Sequence, residues 1–461
     1  MSSFKKFIAD KKFYKTLLAI VIPIILQQFI TQFVSLVDNL MIGNVGNSEM
    51  TGVSLANQLL FVFNLAIFGS LSGASLFASQ YFGAENKKGY QQTFKFKWLI
   101  GSIIVIVATL LFVLFDDQLL SFFINSKDGE FSDPIVVLDS GKTYLMIMLI
   151  GNVPFLIKEI YATSLREMKQ TFVPMLCGII AIVVNLVFNT LLIFGLCGFP
   201  KLGVVGAAIA TVISRFVEMG IVIIYTHVKI KKFVFLQNAY KGDKLTFNSI
   251  KRFLPKTLLL ITNETLWAAG LTLMLSCYSY RGLDVVSSFN IANTISNVFL
   301  TIGTSLGNAS AIIIGAMLGA KQTEVAKQSS YRIMGFAFVI SILFSIIQII
   351  SAFIIPNIYD SSEEIKLMAR NLIIISAILL PFNSVNCVCY FTLRAGGRML
   401  ITILFDSVFV ILVRVPIAFV LSHFTGLSIY WVFSFTTAVD LVKIFVGYYL
   451  INKGIWIRYI V

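Results

Sequence analysis

Apolar stretches long enough to cross a bilayer recur twelve times along the chain, with short polar segments between them. A hydrocarbon core about 30 Å thick needs about 20 residues of helix. The approximate bounds of these stretches are 17–41, 51–80, 93–115, 141–163, 172–196, 203–227, 253–278, 285–317, 331–356, 367–392, 400–424 and 429–451. Strand periodicity is absent, which argues against a barrel. The pattern therefore predicts an all-α integral membrane protein with twelve transmembrane helices.

The composition is typical of a membrane protein and offers few residues for an enzyme or metal site. The chain is 57% hydrophobic and 13% charged, with a mean hydropathy of +0.89. Soluble domains have about 25% charged residues. The five cysteines lie in or beside apolar spans without disulfide or zinc spacing, and the two histidines are far apart. We therefore expect neither an enzyme nor a bound cofactor or metal centre, apart from a transported or coupling ion.

The basic residues alternate between sides of the predicted membrane. Most of the 36 Lys and Arg fall in every second polar segment, the longest of which follows the sixth helix. Cytoplasmic loops carry such an excess, so both termini are expected to be cytoplasmic. The expected location is the inner membrane of a bacterial cell. The net charge of +14 is then explained by topology, and no nucleic-acid partner is expected.

The two halves of the chain carry similar short motifs. The second helix ends in SQYFGAENKK and the eighth in IGAMLGAKQT; the fourth ends in SLREMKQT and the tenth in TLRAGGRM. We predict two pseudo-symmetric six-helix lobes, residues 1–228 and 253–461, joined by a cytoplasmic loop at 229–252. Both lobes would start and end on the same side, an arrangement found among secondary transporters.

Six carboxylates fall inside the predicted membrane spans. Three of them have a basic residue close in sequence and are interpreted as local neutralising pairs: Lys158 with Glu159, Arg215 with Glu218, and Asp440 with Lys443. The other three, Asp38, Glu264 and Asp406, have no such neighbour. A charge near the bilayer centre costs a few kcal/mol even on the more permissive insertion scale. Such groups are usually paired, protonated or in contact with water, and they often mark a substrate or ion pathway.

The sequence resembles the multidrug and toxic compound extrusion family over essentially its whole length. The segments that carry the resemblance are IPIILQQFITQFVSLVDNLMIGNVG at 22–46, GASLFASQYFGA at 73–84, LREMKQTFVPM at 165–175, VVNLVFNTLLIFG at 183–195, GVVGAAIATVISR at 203–215, NETLW at 263–267 and LRAGG at 393–397. The resemblance implies that the two lobes form a V around a central cavity. It also implies export of lipophilic, mostly cationic compounds in exchange for H⁺ or Na⁺.

Asp38 is the first candidate for coupling. Burial favours a neutral carboxyl group and a nearby cation favours the ionised form, so a proton and a cationic compound can compete for it. A carboxylate capped by helix amides at the membrane boundary is the structural alternative. Asn185 and Asn189 are spaced to face one side of their helix and can hydrogen-bond Asp38. The proton-coupled branch has Asp at the second position, so Asn189 departs from its pattern; packing alone is an alternative role for both.

Glu264 matches the helix-seven acid of a second branch, in which a helix-ten Asp completes a cation site. Asn383 stands where that Asp would be, so Na⁺ at Glu264 and Asn383 remains open. Aligning the two halves places Arg414 opposite Glu264. We therefore predict that Glu264 and Arg414, with Asp406 as a further candidate, form a structural ion pair while Asp38 exchanges the coupling ion.

Aromatic and sulfur-containing side chains are candidates for the substrate cavity, because they pack adaptably and attract cations. The candidates are Phe29, Phe33, Phe61, Trp267 and Met274. Packing against lipid or core is the alternative for each of them.

Three other functions compete with the exporter. A flippase for a lipid-linked or anionic amphipathic substrate would need several cationic groups in the cavity, and Arg215 and Arg414 are the candidates. An integral-membrane enzyme would need a cluster of catalytic residues, and a channel a filter-like segment. An ATP-binding Gly-rich loop is absent, so an ion gradient is the expected energy source. The expected partners are amphipathic small molecules and the lipid bilayer, with the protein as a monomer.

Overall fold

Almost the whole chain folds into helices. The computed structural model describes residues 4–43, 45–121, 133–237, 244–359 and 361–461. Its α-helices are α1 (Lys11–Gly43), α2 (Asn47–Gly83), α3 (Lys87–Leu114), α4 (Asp116–Ser121), α5 (Pro134–Glu167), α6 (Phe172–Phe194), α7 (Gly203–Val228), α8 (Phe247–Ser279), α9 (Leu283–Gly319), α10 (Thr323–Ile354), α11 (Glu363–Ala395), α12 (Met399–Ile403), α13 (Val415–Phe424), α14 (Ile429–Ala438) and α15 (Asp440–Lys453).

Twelve segments of these described ranges are long and apolar enough to cross a membrane, which confirms the predicted number of spans. Nine are single α-helices, and a tenth, Thr323–Ile358, consists of α10 and a 3₁₀ turn. The other two, Met399–Phe424 and Ile429–Lys453, contain α12 with α13 and α14 with α15. Several helices extend beyond the predicted apolar stretches, because polar turns continue them. For example, α8 begins at Phe247, six residues before the apolar stretch begins at 253.

Local sequence signals set the helix ends. At the start of α5, the Asp133 side chain accepts a hydrogen bond from the Ile135 amide at 3.0 Å, and Pro134 occupies the first turn. At the end of α6, Gly195 adopts φ 72°, and its amide N–H donates a hydrogen bond to the Leu191 carbonyl oxygen at 3.0 Å. That left-handed conformation costs glycine little, and it ends the helix before the turn into α7.

The chain divides into two compact units. Unit 1 contains residues 1–25, 79–86 and 258–461, and unit 2 contains residues 26–78 and 87–257. Three of the four boundaries lie inside α1, α2 and α8, and the fourth, at 86/87, directly precedes α3. The lobes predicted at 1–228 and 253–461, with their connecting loop, stay a prediction.

A close crossing of the ends of α2 and α9 lies in unit 1. A Cβ on Gly83 would lie 1.8 Å from the Ala316 carbonyl oxygen, and one on Gly319 would lie 1.9 Å from that of Gln80. One turn before Gly319, a Cβ on Gly315 would meet Ser79 at 2.7 Å. Small residues four apart on both helices therefore let the two backbones touch. This contact explains why the Gly-Ala motif occurs in both halves of the sequence.

Gly83→Val is expected to destabilise the protein by about 3 kcal/mol or more, because the new side chain would overlap backbone atoms that cannot rotate away. Thermal unfolding of the purified protein in detergent measures this effect. Gly220→Val is the matched control, since a Cβ at Gly220 would meet nothing within 4 Å. Equal unfolding temperatures for the two variants would contradict the close crossing.

The last two spans of unit 1 are irregular, and this irregularity positions several charged groups. Between α12 and α13 the chain forms two π-helical segments, Leu404–Val408 and Val410–Arg414. Val439 separates α14 from α15, so that Asp440 opens the final helix. Local departures from α-helix are frequent at functional sites. Here they bring Asp406, Arg414 and Asp440 into one polar region.

Candidate functional site

Asp38 anchors a polar cluster inside unit 2. The Asn189 side-chain amide donates to Asp38 Oδ1 at 2.6 Å and to Asn185 Oδ1 at 3.2 Å. Asn185 in turn donates to the Thr211 hydroxyl on α7 at 3.2 Å. The shared helix face predicted for the two asparagines is present, and Asn189 contacts Asp38 directly, whereas Asn185 reaches it through Asn189. Thr211 and the neighbouring Tyr144 complete the cluster.

Burial makes the Asp38 cluster sensitive to charge. Asn185 and Asn189 are 4% and 1% exposed, whereas Asp38 is half-buried. Within the described ranges, no Lys or Arg nitrogen lies within 4.0 Å of Asp38. The Asn189 Oδ1 atom is buried and has no hydrogen-bond donor among the same residues. The cluster therefore presents one unpaired carboxylate and a free amide oxygen to whatever enters it.

Glu264 belongs to a second polar cluster, which lies in unit 1. Its side chain is buried, and Oε1 accepts a hydrogen bond from the Tyr390 hydroxyl at 3.2 Å. The Arg394 guanidinium lies 3.7 Å from the same oxygen and 3.4 Å from the Tyr390 hydroxyl. A cation already held at this distance opposes a second one, so the pair disfavours Na⁺ at Glu264.

Asp406 joins the Glu264 cluster through Asn263. The Asn263 amide donates to Asp406 Oδ2 and to the Tyr390 hydroxyl, both at 3.0 Å. Asn263 also accepts a hydrogen bond from Ser407 at 2.8 Å. The Lys443 ammonium lies 3.7 Å from Asp406 Oδ1. Asp406 is therefore both hydrogen-bonded and paired with a cation.

The predicted ion pair between Glu264 and Arg414 is corrected by these contacts. Arg414 lies 3.1 Å from Asp440 and donates to the Thr436 carbonyl at 3.2 Å, while Glu264 pairs with Arg394. The π-helical turns that precede Arg414 alter the direction of its side chain, whereas the alignment of the two halves assumed regular helices. A structural ion pair for Glu264 is present, with a different partner from the one predicted.

Asn383 lies on the same helix as Tyr390, about 10 Å along the helix axis at 1.5 Å per residue. Its Oδ1 atom accepts a weak hydrogen bond from Cys387 at 3.5 Å. The structure thus gives Glu264 and Asn383 different neighbours. A shared Na⁺ site for these two residues stays a prediction without a contact that supports it.

The five cavity candidates differ in exposure. Phe29 is 40% and Phe61 51% exposed, whereas Trp267 is half-buried against the core of unit 1. Met274 is 4% exposed and lies in that core among apolar side chains, so it packs rather than lining a cavity. The side chain of Phe33 lies outside the described residues.

Sequence reasoning missed Tyr390, Arg394 and Asn263 as partners of Glu264. Tyr390 and Arg394 are four residues apart and therefore face one side of α11. Asn263 directly precedes Glu264, and its importance comes from the hydrogen bonds that it makes across helices. The i,i+4 spacing of these two polar groups at the end of an apolar span was the available signal for them.

Comparison with known proteins finds relatives over most of the chain. The family model MatE matches residues 23–191 and 259–420. A probable multidrug resistance protein NorM from Thermotoga maritima is 23% identical, with 90% of this chain and 87% of the relative covered. The probable multidrug resistance protein YoeA of Bacillus subtilis is 25% identical, with 95% and 93% covered.

A solved structure has the same fold. An outward-facing multidrug resistance MATE family transporter of the MOP superfamily superposes with a TM-score of 0.85 at 17% identity, covering 98% of this chain and 99% of that one. The predicted fold class is thereby confirmed. The match of the family model to most of the chain, together with the twelve spans, shows that this multi-pass membrane protein belongs to the MATE family of transporters.

Proposed function

We propose that this protein is a secondary transporter that exports lipophilic, mostly cationic small molecules in exchange for H⁺ or Na⁺. Family membership and the names of its relatives support multidrug efflux. In this proposal the protein lies in the inner membrane of a bacterial cell with both termini in the cytoplasm. Asp38 is the group that binds the coupling ion and the cationic substrate in turn.

The state of the buried carboxylates carries the assignment to Asp38. Glu264, Asp406 and Asp440 each have a Lys or Arg nitrogen within 4.0 Å, at 3.7, 3.7 and 3.1 Å. Asp38 has an amide partner and no such cation among the described residues. A carboxylate without a fixed counter-charge can take up a proton or a cationic substrate in turn, which is the minimum that an antiporter requires.

The hydrogen bonds around Asp38 favour H⁺ over Na⁺. Amide N–H groups already occupy Asp38 Oδ1 and Asn185 Oδ1. Hard cations bind several oxygen ligands at once, and N–H groups directed at these oxygens leave few for a metal ion. A proton needs a single oxygen and can be shared with the neighbouring free Asn189 Oδ1.

Ethidium efflux from a drug-sensitive bacterial host tests the proposed function. Cells that express the wild-type protein are expected to lose ethidium faster than control cells, and a protonophore should stop this efflux whether or not Na⁺ is present. Efflux that requires Na⁺ and resists the protonophore would reassign the coupling ion. A wild-type protein at normal membrane levels that exports no ethidium would contradict export of lipophilic cations.

The proposed topology makes a separate prediction for Cys197. This cysteine is exposed in the segment between α6 and α7, on the non-cytoplasmic side, while Cys177, Cys277 and Cys389 are buried and Cys387 is half-buried. A membrane-impermeant maleimide should therefore label the protein in intact cells, and Cys197→Ser should remove the label. Labelling of the wild type only after lysis would contradict cytoplasmic termini.

A further inference from the structure

Arg215 is a half-buried cation of unit 2 that no acid of the described residues neutralises at close range. Arg215 lies on α7, and no carboxylate oxygen of the described residues is within 4.0 Å of its guanidinium. Glu218, three residues further along, pairs instead with Lys158 at 3.5 Å. The local pair of Arg215 with Glu218 that the sequence suggests is therefore not formed, and Arg215 keeps its charge inside a membrane span.

The surroundings of Arg215 hold the side chain without cancelling its charge. Its Nη1 atom donates to Asn152 Oδ1 at 3.1 Å, and its guanidinium lies 5.0 Å from the centre of the Phe155 ring. A Cβ on Gly151 would lie 3.2 Å from Cδ of Arg215, so this glycine makes room for the stem of the side chain. The cation–π contact offsets only part of the desolvation of a cation.

Hydrogen-bond donors outnumber acceptors at this place. Asn152 is fully buried, and its Nδ2 atom has no acceptor among the described residues. Arg215 has five N–H donors and cannot lose its proton in a protein. A buried donor without a partner is costly, and an excess of donors beside a fixed positive charge suits an anionic group.

Arg215 also lies close to the Asp38 cluster. Thr211 precedes it by one helical turn, about 6 Å along α7. Thr211 accepts the hydrogen bond from Asn185, which connects through Asn189 to Asp38. Unit 2 therefore carries an acid without a close counter-charge and a cation in the same state, and the cation lies one turn of α7 from the Thr211 end of the hydrogen-bond network of Asp38.

We propose that Arg215 and Asn152 form a subsite for an anionic group, such as a carboxylate, on an amphipathic substrate whose cationic group is held by Asp38. The inference rests on the proposed function and extends it to zwitterionic substrates. The half-buried Phe155 ring beside the guanidinium supplies an apolar surface for the body of such a molecule.

A pair of dyes that differ in one group tests the subsite. Rhodamine 110 carries a free carboxylate and is a zwitterion; rhodamine 123 is its methyl ester and is a cation. Binding of each dye to the purified protein in detergent is measured by fluorescence anisotropy, and the ratio of the two affinities is the readout. Because both dyes report on the same sample, loss of folded protein does not alter this ratio.

Arg215→Met is expected to weaken binding of rhodamine 110 at least about tenfold and to leave rhodamine 123 unchanged, since a charge-assisted hydrogen bond is lost only for the acid. Asn152→Asp should act in the same direction with little change in shape, because the new carboxylate would occupy the guanidinium. Arg414→Met is the matched control, as that arginine is already paired with Asp440, and it should leave the ratio unchanged.

A ratio of affinities that stays unchanged in both Arg215→Met and Asn152→Asp would overturn the subsite, and so would an equal loss of affinity for both dyes, which also leaves the ratio unchanged. A wild-type protein that binds the ester but not the acid would overturn the subsite and leave the proposed function intact. A wild-type protein that binds neither dye would overturn both.

Discussion

Asp38→Asn is expected to abolish ion-driven efflux, lowering the initial rate of ethidium export at least tenfold while the protein stays folded. The amide has nearly the shape of the carboxyl group, but it can neither release a proton nor attract a cation. The asparagine can still hydrogen-bond Asn189, so the cluster on α1 and α6 should survive. Efflux is measured at matched membrane levels, with thermal unfolding as the check on folding.

Asp117→Asn is the matched control for this change. Asp117 is 57% exposed on α4, where it lies 3.3 Å from Lys142. An exposed pair of this kind contributes little to stability, so efflux should be nearly normal. If Asp38→Asn transports as well as this control does, the coupling group lies elsewhere, and the assignment to unit 2 is wrong.

Arg394→Met is expected to lower the free energy of unfolding by about 3–5 kcal/mol, because it leaves Glu264 buried without its counter-charge. Glu264→Gln should also destabilise, since it removes the carboxylate that lies 3.7 Å from the Arg394 guanidinium. The double variant should be more stable than Arg394→Met alone, because both charges are absent. Unfolding of all three in detergent gives the coupling energy of the pair.

A transport assay distinguishes a structural role of the Glu264–Arg394 pair from a role in ion coupling. Glu264→Gln should keep ion-driven efflux in proportion to the amount of folded protein, with the same response to a protonophore as the wild type. Loss of coupling in a well-folded Glu264→Gln variant would show that Glu264 exchanges an ion. The ion pair with Arg394 would then have to open during transport.

The twelve spans and the repeated motifs were predictable because each depends on short-range properties of the chain. A bilayer demands about 20 apolar residues per span, and this requirement is visible without knowing any contact. The Gly-Ala motifs at Gly83 and Gly319 could likewise be found as repeats. Their role as a backbone crossing, however, required the structure.

The partners of the intramembrane charges were only partly predictable. The hydrogen bond between Asn189 and Asp38 could be predicted from the helical spacing of the asparagines and from the hydrogen-bonding capacity of both side chains. Arg414 was misassigned because its direction depends on π-helical turns that leave no clear sign in the sequence. Contacts between helices far apart in the chain, such as Glu264 with Arg394, depend on packing that periodicity alone does not specify.

Proton release on substrate binding tests the central claim most directly. Purified protein in weakly buffered, Na⁺-free detergent solution is mixed with a permanently cationic substrate such as ethidium, and the pH change is recorded. Wild type and Glu264→Gln should release protons on binding, and Asp38→Asn should release none. Full release from Asp38→Asn, or its loss in Glu264→Gln alone, would contradict the account and move the exchanging group to unit 1.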